Sequence, residues 1–404
     1  MASKVMGKIG YDYLLIVIVS ALVVIGLMMV YSTTFSLDPD RPAYFFERQL
    51  AWTGIGAVLM IALARLPYRH WRRLSVPIMF CTLTLLTIVL LFGAERFGAQ
   101  RTLWRGSYQP SELAKLAIII YIADWLSSKG AKIRNITYGL IPFAILLGVV
   151  TGLIVLQPDF GTAILIVATA SVMFFLAGAD LLQLVIGSVF GGASLIFLIT
   201  KSPHAAERLE SFLASMTDPV SVGSYQVRQA LIALGFGGLF GRGLGNSQQK
   251  LSFLPISHTD SIFAILGEEL GLIGCLLVIG LFAALAYRGF RIALQAPDSF
   301  GTILAAGITS WLIIEALINI GVVTATLPFT GIPLPFISFG GSALVSALMG
   351  VGVLLSVSRG DRGEEEAAYA DSTVGRRNSG ARVPKSGRRP GVGRKQRLEN
   401  ERAT

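Results

Sequence analysis

Long apolar runs alternate with short polar segments over most of the chain. A run needs about 20 residues, within a range of roughly 17 to 25, to cross the hydrocarbon core of a bilayer as a helix. Ten runs approach or reach that length, and the strict apolar–polar alternation of a membrane β-barrel is found nowhere in the sequence. The pattern therefore predicts an all-α integral membrane protein with about ten transmembrane helices. The predicted spans cover approximately residues 13–31, 51–66, 75–92, 111–126, 137–156, 162–176, 181–200, 261–287, 302–323 and 342–358.

The composition agrees with this class. Of the 404 residues, 53% are hydrophobic and 14% are charged, whereas an average soluble domain carries roughly 25% charged residues. This excludes a disordered chain and an ordinary soluble protein. The two cysteines, Cys81 and Cys275, each lie inside an apolar run. Their positions exclude a disulfide framework and a cysteine-based metal site.

The distribution of cations predicts the orientation. If the amino terminus is cytoplasmic, the inner connections contain most of the basic residues, in agreement with the positive-inside rule. These residues are Arg65, Arg69, Arg72, Arg73, Lys129, Lys132, Arg134, Arg288 and Arg291. Ten spans then return the carboxyl terminus to the cytoplasm. The outer connection from 93 to 110 departs from the rule because it contains Arg96, Arg101 and Arg105, and this departure indicates an anionic ligand there.

The end of the chain differs from the predicted membrane domain, residues 1–358. Residues 359–404 are polar, have no apolar period, and contain 12 of the 34 Lys and Arg and 7 of the 24 Asp and Glu. This composition is typical of disorder, so we predict a disordered basic cytoplasmic tail. The net charge of +10 is divided equally between residues 1–358 and residues 359–404. This even distribution does not indicate nucleic-acid binding. The tail is suited either to anionic lipid of the inner leaflet or to a cytoplasmic partner.

The longest break between spans, residues 201–260, lies on the outer side by this count. It contains an apolar stretch at 225–240, which begins near Gln226 and ends in a run of glycines. The stretch is too short to span and too apolar to lie in water, so we predict a re-entrant or interfacial helix inside a long outer loop. The glycines permit either close approach of the backbone to another group or tight turns alone.

Asp260 stands at the outer end of the eighth span. A carboxylate at this position can cap the first turn of the helix. It can also serve a functional site, because His258 and Thr259 precede it directly and Arg242 and Lys250 lie shortly upstream. These neighbours favour the site.

Charged residues inside membrane spans are costly and are usually paired or face a cavity. Glu112 and Lys115 are i,i+3 neighbours on one helix face, and they form either a structural pair or the wall of a substrate groove with Arg101 nearby. Glu268 lies roughly 12 Å below Asp260 at the helical rise of about 1.5 Å per residue. This exceeds the ~5 to 9.5 Å between the carboxylates of glycosidases, so we interpret Glu268 and its neighbour Glu269 as an ion pair or cavity lining.

Two further segments predict irregular backbone at the membrane. Asp159 lies in the turn 157–161, where turn chemistry alone explains an aspartate. The segment 327–341 contains three prolines, which no continuous helix tolerates at this spacing. Apolar backbone that is not helical is found at membrane depth where it is buried or lines a cavity. We therefore predict that this segment forms a cavity wall.

Five motifs, taken in order, resemble those of the SEDS family of FtsW and RodA. The likeness covers residues 13–358 and leaves only the tail outside. The motifs are GAQRTLWRGSYQPSELAK, QPDFGTA, GLGNSQQKLSFLPISHTD, GEELGLIG and TGIPLPFISFGG. The segments FFERQLAW, ARLPYRHW and GLGNSQQK are more similar to the division-associated FtsW branch than to RodA.

The resemblance implies a peptidoglycan glycosyltransferase that polymerises lipid II at the outer face of the bacterial cytoplasmic membrane. It implies partners as well: a class B penicillin-binding protein, which is the transpeptidase, and other divisome membrane proteins. In the family the aspartate of the HTD triplet is the catalytic residue, here Asp260, and the essential arginine before QPSE falls on Arg101. This chain has Thr102 where the family has Trp, and Ile256 where it has Glu. The second departure removes a carboxylate and places more weight on Asp260.

Glycan growth from a polyprenyl-pyrophosphate sugar needs a base for the acceptor hydroxyl and cations for the departing pyrophosphate. Asp260 is the predicted base. The predicted substrate-binding residues are Arg101, Lys250, Arg242, Gln226, His258, Thr259, Glu112 and Lys115. The sequence shows no dedicated metal cage, although a divalent Mg or Mn ion could bridge Asp260 and the pyrophosphate.

Three alternatives remain open from the residues. A lipid II flippase would use the charges near the bilayer midplane without covalent chemistry. A scaffold would recruit partners through its tail and helices and would tolerate loss of Asp260. A RodA-like elongation polymerase would perform the same chemistry outside division.

Overall fold

The computed structural model describes residues 11–35, 43–96, 99–102, 109–215, 224–250, 254 and 258–360. The predicted tail lies outside these residues from 361 onward. The elements, in chain order, are α1 (Tyr13–Thr34), α2 (Tyr44–Arg65), α3 (Arg69–Phe92), β1 (Ala94–Arg96), β2 (Ala99–Thr102), α4 (Pro110–Lys129), α5 (Ile141–Val155), α6 (Phe160–Leu176), α7 (Leu181–Lys201), α8 (Pro203–Ser215), α9 (Tyr225–Gly237), α10 (Ile262–Gln295), α11 (Ser299–Val323) and α12 (Gly341–Arg359). A 3-10 turn and a π turn lead into α5.

The predicted helical membrane fold is confirmed. Each predicted span coincides with a helix, namely α1 to α7 and α10 to α12. Among the described residues, seven helical segments are long and apolar enough to cross a membrane, and α6 is a shorter apolar helix. The helices α2 and α4 are long enough at 22 and 20 residues but are more polar. The number of ten crossings therefore stays a prediction.

The centre of the bundle is formed by α11 and α12. In the most apolar stretch of α11, 72% of the residues are buried, compared with 6% in α7. The helix α11 packs against α4, α6 and α10, and its Trp311 is the largest fully buried side chain. Residues on α11 are therefore placed where several helices meet, whereas α7 lies at the periphery.

The start of α11 is hydrogen-bonded to the turn between α2 and α3. The Asp298 carboxylate caps α11 by accepting a hydrogen bond from the Gly301 amide at 2.7 Å, and it also accepts one from the Tyr68 hydroxyl at 3.0 Å. Burial, together with the charge of Asp298, raises the pKa of Tyr68 to about 12. The phenol therefore keeps its proton and remains a donor at neutral pH.

The helix α10 is broken inside the predicted span, which the sequence did not reveal. Gly271 has φ 68° and ψ −167°, and the break frees backbone groups on both sides of it. The Glu268 and Glu269 carbonyls accept hydrogen bonds from the amides of Arg242 and Gly243, both at 3.0 Å. The amides of residues 272 and 273 donate to the carbonyls of residues 238 and 239. The glycine segment 238–243 is therefore inserted into the break.

This insertion explains the glycine run in physical terms. A Cβ at Gly237 would lie 1.9 Å from the Gly267 carbonyl oxygen, and a Cβ at Gly241 would lie 2.1 Å from the Glu269 carbonyl oxygen. The run therefore permits close approach as well as turns, since Gly238, Gly241, Gly243 and Gly245 all have positive φ. The preceding helix α9 is shorter than predicted, with 13 residues, and packs against α10. Whether α9 re-enters the membrane stays a prediction.

Replacing Gly271 by alanine is expected to lower the free energy of unfolding by about 1 to 3 kcal/mol, the cost of a strained backbone conformation. A Cβ there would also lie 2.3 Å from the Gly241 nitrogen. The measurement is thermal unfolding of the purified protein in detergent. Gly280→Ala is the matched control, because Gly280 lies on the same helix and no atom lies within 4 Å of the position that its added methyl group would occupy. Equal unfolding temperatures for the two variants would contradict this account.

Candidate active site

A cavity of about 350 Å³ lies between α4, α6, α8, α11 and residues 327–341 before α12. We call it the central cavity, and we call residues 327–341 the proline-rich segment. Its described lining contains four carboxylates and two cations. These residues are Glu112, Asp159, Asp260, Glu315, Lys115 and Arg208. The predicted wall function of the proline-rich segment fits this placement, because Gly331, Ile332 and Pro333 line the same cavity.

Asp260 lies in a turn directly before α10 and lines the central cavity together with Thr259. The N-cap position of α10 is Ser261, the residue after Asp260. Gly331 faces the carboxylate: it has φ 74°, and a Cβ there would lie 3.4 Å from Asp260 Oδ2. A glycine at this point therefore permits the left-handed backbone and adds no side chain beside the carboxylate.

The cavity floor contains the predicted pair Glu112 and Lys115, joined by a third residue. Lys115 Nζ lies 2.8 Å from Glu112 Oε2 and 2.5 Å from Glu315 Oε1, and all three side chains are almost fully buried. The ammonium also lies 5.3 Å from the centre of the Trp311 ring. We call these three ionisable residues the floor triad. Glu315 was not singled out from the sequence, although a lone carboxylate within an apolar span is a signal for such a site.

Asp159 serves both as a helix cap and as a wall of the central cavity. Its carboxylate accepts hydrogen bonds from the Thr162 amide at 3.2 Å and the Thr162 hydroxyl at 3.0 Å, at the start of α6. It also accepts one from Gln109 Nε2 at 3.2 Å. The turn chemistry predicted for Asp159 is therefore present, and the same side chain joins α6 to the residue before α4.

Arg208 on α8 is a cation of the central cavity that the sequence analysis did not select. Its guanidinium carbon lies 5.3 Å from the centre of the Phe329 ring, at the beginning of the proline-rich segment. The helix α8 is short and amphipathic within the long loop, so its arginine was indistinguishable from a solvated loop residue. Only the fold brings Arg208 and Asp260 to one cavity.

Two predicted substrate cations have other partners. Lys250 Nζ lies 2.9 Å from Glu269 Oε1, and Arg242 Nη1 lies 3.7 Å from Glu268 Oε1. Neither cation is among the residues that line the central cavity. The Glu268 carboxylate also accepts hydrogen bonds from the Ser247 hydroxyl and the Gln248 amide. The geometry thus favours the ion-pair interpretation of Glu268 and Glu269, and pyrophosphate binding by Lys250 and Arg242 stays a prediction.

Gln226 and His258 lie near Asp260 without lining the central cavity. Gln226 Nε2 donates to the Ser261 hydroxyl at 3.0 Å. The His258 ring lies 5.2 Å from the centre of the Phe45 ring and 5.6 Å from that of Phe339. Burial lowers the pKa of His258, so the imidazole is neutral at physiological pH. The two side chains therefore support the Asp260 turn without adding positive charge.

Arg101 belongs to β2 of the antiparallel hairpin that leads from α3 towards α4. Only its backbone is described, and Arg105 lies outside the described residues, so the predicted role of Arg101 stays a prediction. Within the described ranges, no group of three or more His, Cys, Asp or Glu side chains is arranged to hold a metal ion. A divalent ion that bridges Asp260 and the pyrophosphate stays a prediction as well.

Comparison with known proteins places this chain in a family. The profile of the FtsW, RodA and SpoVE family, described as cell cycle protein, matches residues 12–363. Stage V sporulation protein E of Bacillus subtilis is 43% identical over 365 residues, which cover 88% of this chain and 99% of the relative. A protein of Trichlorobacter lovleyi named probable peptidoglycan glycosyltransferase FtsW is 39% identical and covers 87% of this chain and 93% of its own length.

Solved structures give the same result. RodA of Thermus thermophilus, a rod shape determining protein, matches with a TM-score of 0.65 and 30% identity over 87% of this chain and 98% of its own. A chain from a peptidoglycan synthase complex, described for its structural coordination of polymerization and crosslinking, matches with a TM-score of 0.71 and 29% identity over 86% of this chain and 98% of its own. The protein is therefore a multi-pass membrane protein that belongs to the FtsW, RodA and SpoVE family.

Proposed function

We propose that the protein is a peptidoglycan glycosyltransferase that polymerises lipid II at the outer face of the bacterial cytoplasmic membrane, with both termini in the cytoplasm. The observation that carries the proposal is the placement of Asp260 in one cavity with Arg208. A glycosyl transfer of this kind needs a carboxylate and positive charge in the same site. The relatives named probable peptidoglycan glycosyltransferase support the reaction class.

In this reaction the acceptor sugar hydroxyl attacks the anomeric carbon of the donor. A new glycosidic C–O bond forms as the C–O bond to the pyrophosphate breaks, and the bonding electron pair leaves with the polyprenyl pyrophosphate. Asp260 accepts the hydroxyl proton as general base, which is typically worth about 10²- to 10⁴-fold in rate. Arg208 provides positive charge for the pyrophosphate oxygens as their charge increases.

The charges of the central cavity predict one further component. The four carboxylates and two cations of its described lining carry a net charge of −2 when all are ionised, yet the donor is a pyrophosphate anion. Additional positive charge is needed when the donor is bound. The sequence analysis offers two candidates for this positive charge, namely Arg101 of the hairpin and a divalent Mg or Mn ion.

The test is a polymerisation assay with purified full-length protein and labelled lipid II in detergent and in liposomes. A ladder of lengthening glycan strands on a gel is the expected result. Labelled lipid that crosses the liposome membrane without any longer glycan would instead establish the flippase alternative. Absence of both products from a folded protein that has been given Mg or Mn ions and its partner would overturn the proposal.

We further propose that the protein works with a class B penicillin-binding protein that crosslinks the strands, in division rather than elongation. The similarity to a chain of a synthase complex that coordinates polymerization and crosslinking supports such a partner. The FtsW relatives support the division role. Co-purification of the full-length protein with its transpeptidase, and stimulation of the glycan ladder by it, would test the partnership.

A further inference from the structure

The turn that contains Asp260 is held from outside its own helix. Three consecutive carbonyls of this turn each accept a hydrogen bond from a residue outside α10. The Phe339 amide donates to the His258 carbonyl at 2.9 Å, and the Ser338 hydroxyl donates to the Thr259 carbonyl at 2.7 Å. Asn319 Nδ2 donates to the Asp260 carbonyl at 2.8 Å. The donors belong to α11 and to the proline-rich segment.

Two of these donors also hold the proline-rich segment itself. Asn319 Nδ2 donates a second hydrogen bond to the Ile332 carbonyl at 2.8 Å, and the Ser338 hydroxyl oxygen accepts one from the Leu334 amide at 2.8 Å. Both side chains are buried, with 1% of Asn319 and 5% of Ser338 exposed. Each side chain therefore joins the Asp260 turn directly to the proline-rich segment, and these hydrogen bonds are shielded from water.

The prolines explain why side chains take part in these hydrogen bonds. Three prolines prevent a helix and remove backbone donors, so the backbone carbonyls must find partners elsewhere because unpaired buried polar groups are costly. Ser261, the N-cap residue of α10, makes no side-chain cap hydrogen bond. Hydrogen bonds from α11 and from the segment before α12 therefore help to fix the position of the Asp260 turn.

We infer that Asn319 and Ser338 are positioning residues for Asp260, which fix the Asp260 carboxylate within the central cavity through the backbone of its turn. The inference rests on the proposed function, in which Asp260 is the general base. Loss of either donor frees the turn while the carboxylate and the cations remain. A displacement of about 1 Å at a reacting group can cost 10²-fold in rate.

Two substitutions in the full-length protein test this. Asn319→Asp keeps the size of the side chain but replaces the amide donor by an oxygen that faces two carbonyl oxygens, and Ser338→Ala removes the hydroxyl. We expect kcat for lipid II polymerisation to decrease about 10- to 100-fold, with KM changed less than about 3-fold, because the groups that contact the donor are retained.

Matched controls separate positioning from general loss of stability. Gln183→Glu makes the same amide-to-acid change at a buried side chain of α7, at the periphery of the bundle, whose Nε2 donates to the Ile133 carbonyl. Ser356→Ala removes a buried hydroxyl that donates to the Leu66 carbonyl at the far end of α12. We expect these controls to lower the unfolding temperature as much as the test variants do, with kcat within about 3-fold of the unsubstituted protein.

A double-substitution cycle supplies the decisive comparison. In the Asp260→Asn background, Asn319→Asp should cause no further decrease in the residual kcat, since Asn319 acts through Asp260. The positioning role is wrong if Asn319→Asp and Ser338→Ala have the same kcat as the control variants. It is also wrong if the decreases in kcat caused by Asn319→Asp and by Asp260→Asn multiply in the double variant. Neither result would contradict Asp260 as the general base. If Asp260→Asn alone turns over normally, the general-base assignment on which this inference rests is wrong.

Discussion

Replacing Asp260 by asparagine is expected to lower kcat for lipid II polymerisation by about 10²- to 10⁴-fold, the usual contribution of a general base. The amide has the size of the carboxylate but cannot accept the proton of the acceptor hydroxyl. The backbone carbonyl of residue 260, which accepts the Asn319 hydrogen bond, is unchanged, so the turn keeps its position. Glycan formation from lipid II with purified protein measures kcat, and a separate binding titration measures retained affinity for lipid II.

Asp124→Asn is the control for this experiment. Asp124 is a carboxylate at the other end of α4, where it pairs with Arg72 at 3.2 Å and accepts a hydrogen bond from the Ser75 hydroxyl at 2.6 Å. It does not line the central cavity, and we expect its loss to leave kcat within about 3-fold. Full turnover by Asp260→Asn would refute the general-base mechanism. A complete loss of lipid II binding would instead assign Asp260 to substrate binding.

Replacing Lys115 by methionine is expected to lower the free energy of unfolding by about 3 to 5 kcal/mol, the usual cost of removing one partner from a buried ion pair. The floor triad would keep two carboxylates, Glu112 and Glu315, without a counter-charge where both side chains are almost fully buried. Methionine fills a similar volume, so the effect is electrostatic rather than one of packing. Thermal and denaturant unfolding in detergent would measure it.

Glu315→Gln is the matched comparison for the floor triad. It leaves the Glu112–Lys115 pair intact, with one negative and one positive charge, and keeps an oxygen near the Lys115 ammonium. We expect a loss well below that of Lys115→Met, and we expect the double variant Lys115→Met, Glu315→Gln to recover part of the stability. Equal losses for Lys115→Met and Glu315→Gln would contradict the electrostatic account of the triad.

Local spacing predicted the parts of this molecule that depend on neighbouring residues in the chain. Apolar runs of sufficient length gave the helices, since a bilayer requires them, and the i,i+3 spacing gave the Glu112–Lys115 pair. The three prolines of the segment 327–341 gave the irregular wall of the central cavity. In each case the physical cause acts over a few residues, so the sequence contains it.

The parts that sequence analysis missed depend on distant contacts. Glu315 meets Lys115 across 200 positions of the chain, and Arg208 reaches the central cavity only because α8 packs beside it. Closeness in sequence did not predict the partners of Lys250 and Arg242, whose role in substrate binding stays a prediction. Their closeness to Asp260 in sequence suggested one site, but the break at Gly271 draws their segment towards Glu268 and Glu269 instead.

The broken helix also limits how the chain can vary. Loops that connect membrane helices usually tolerate insertions and deletions. The backbone of residues 238–243, however, forms hydrogen bonds with α10 on both sides of its break. One extra residue there would shift its amides and carbonyls out of register with those of residues 268–273. The length of this connection is therefore set by helix geometry, and a related chain that lengthened it would need a compensating change at the break.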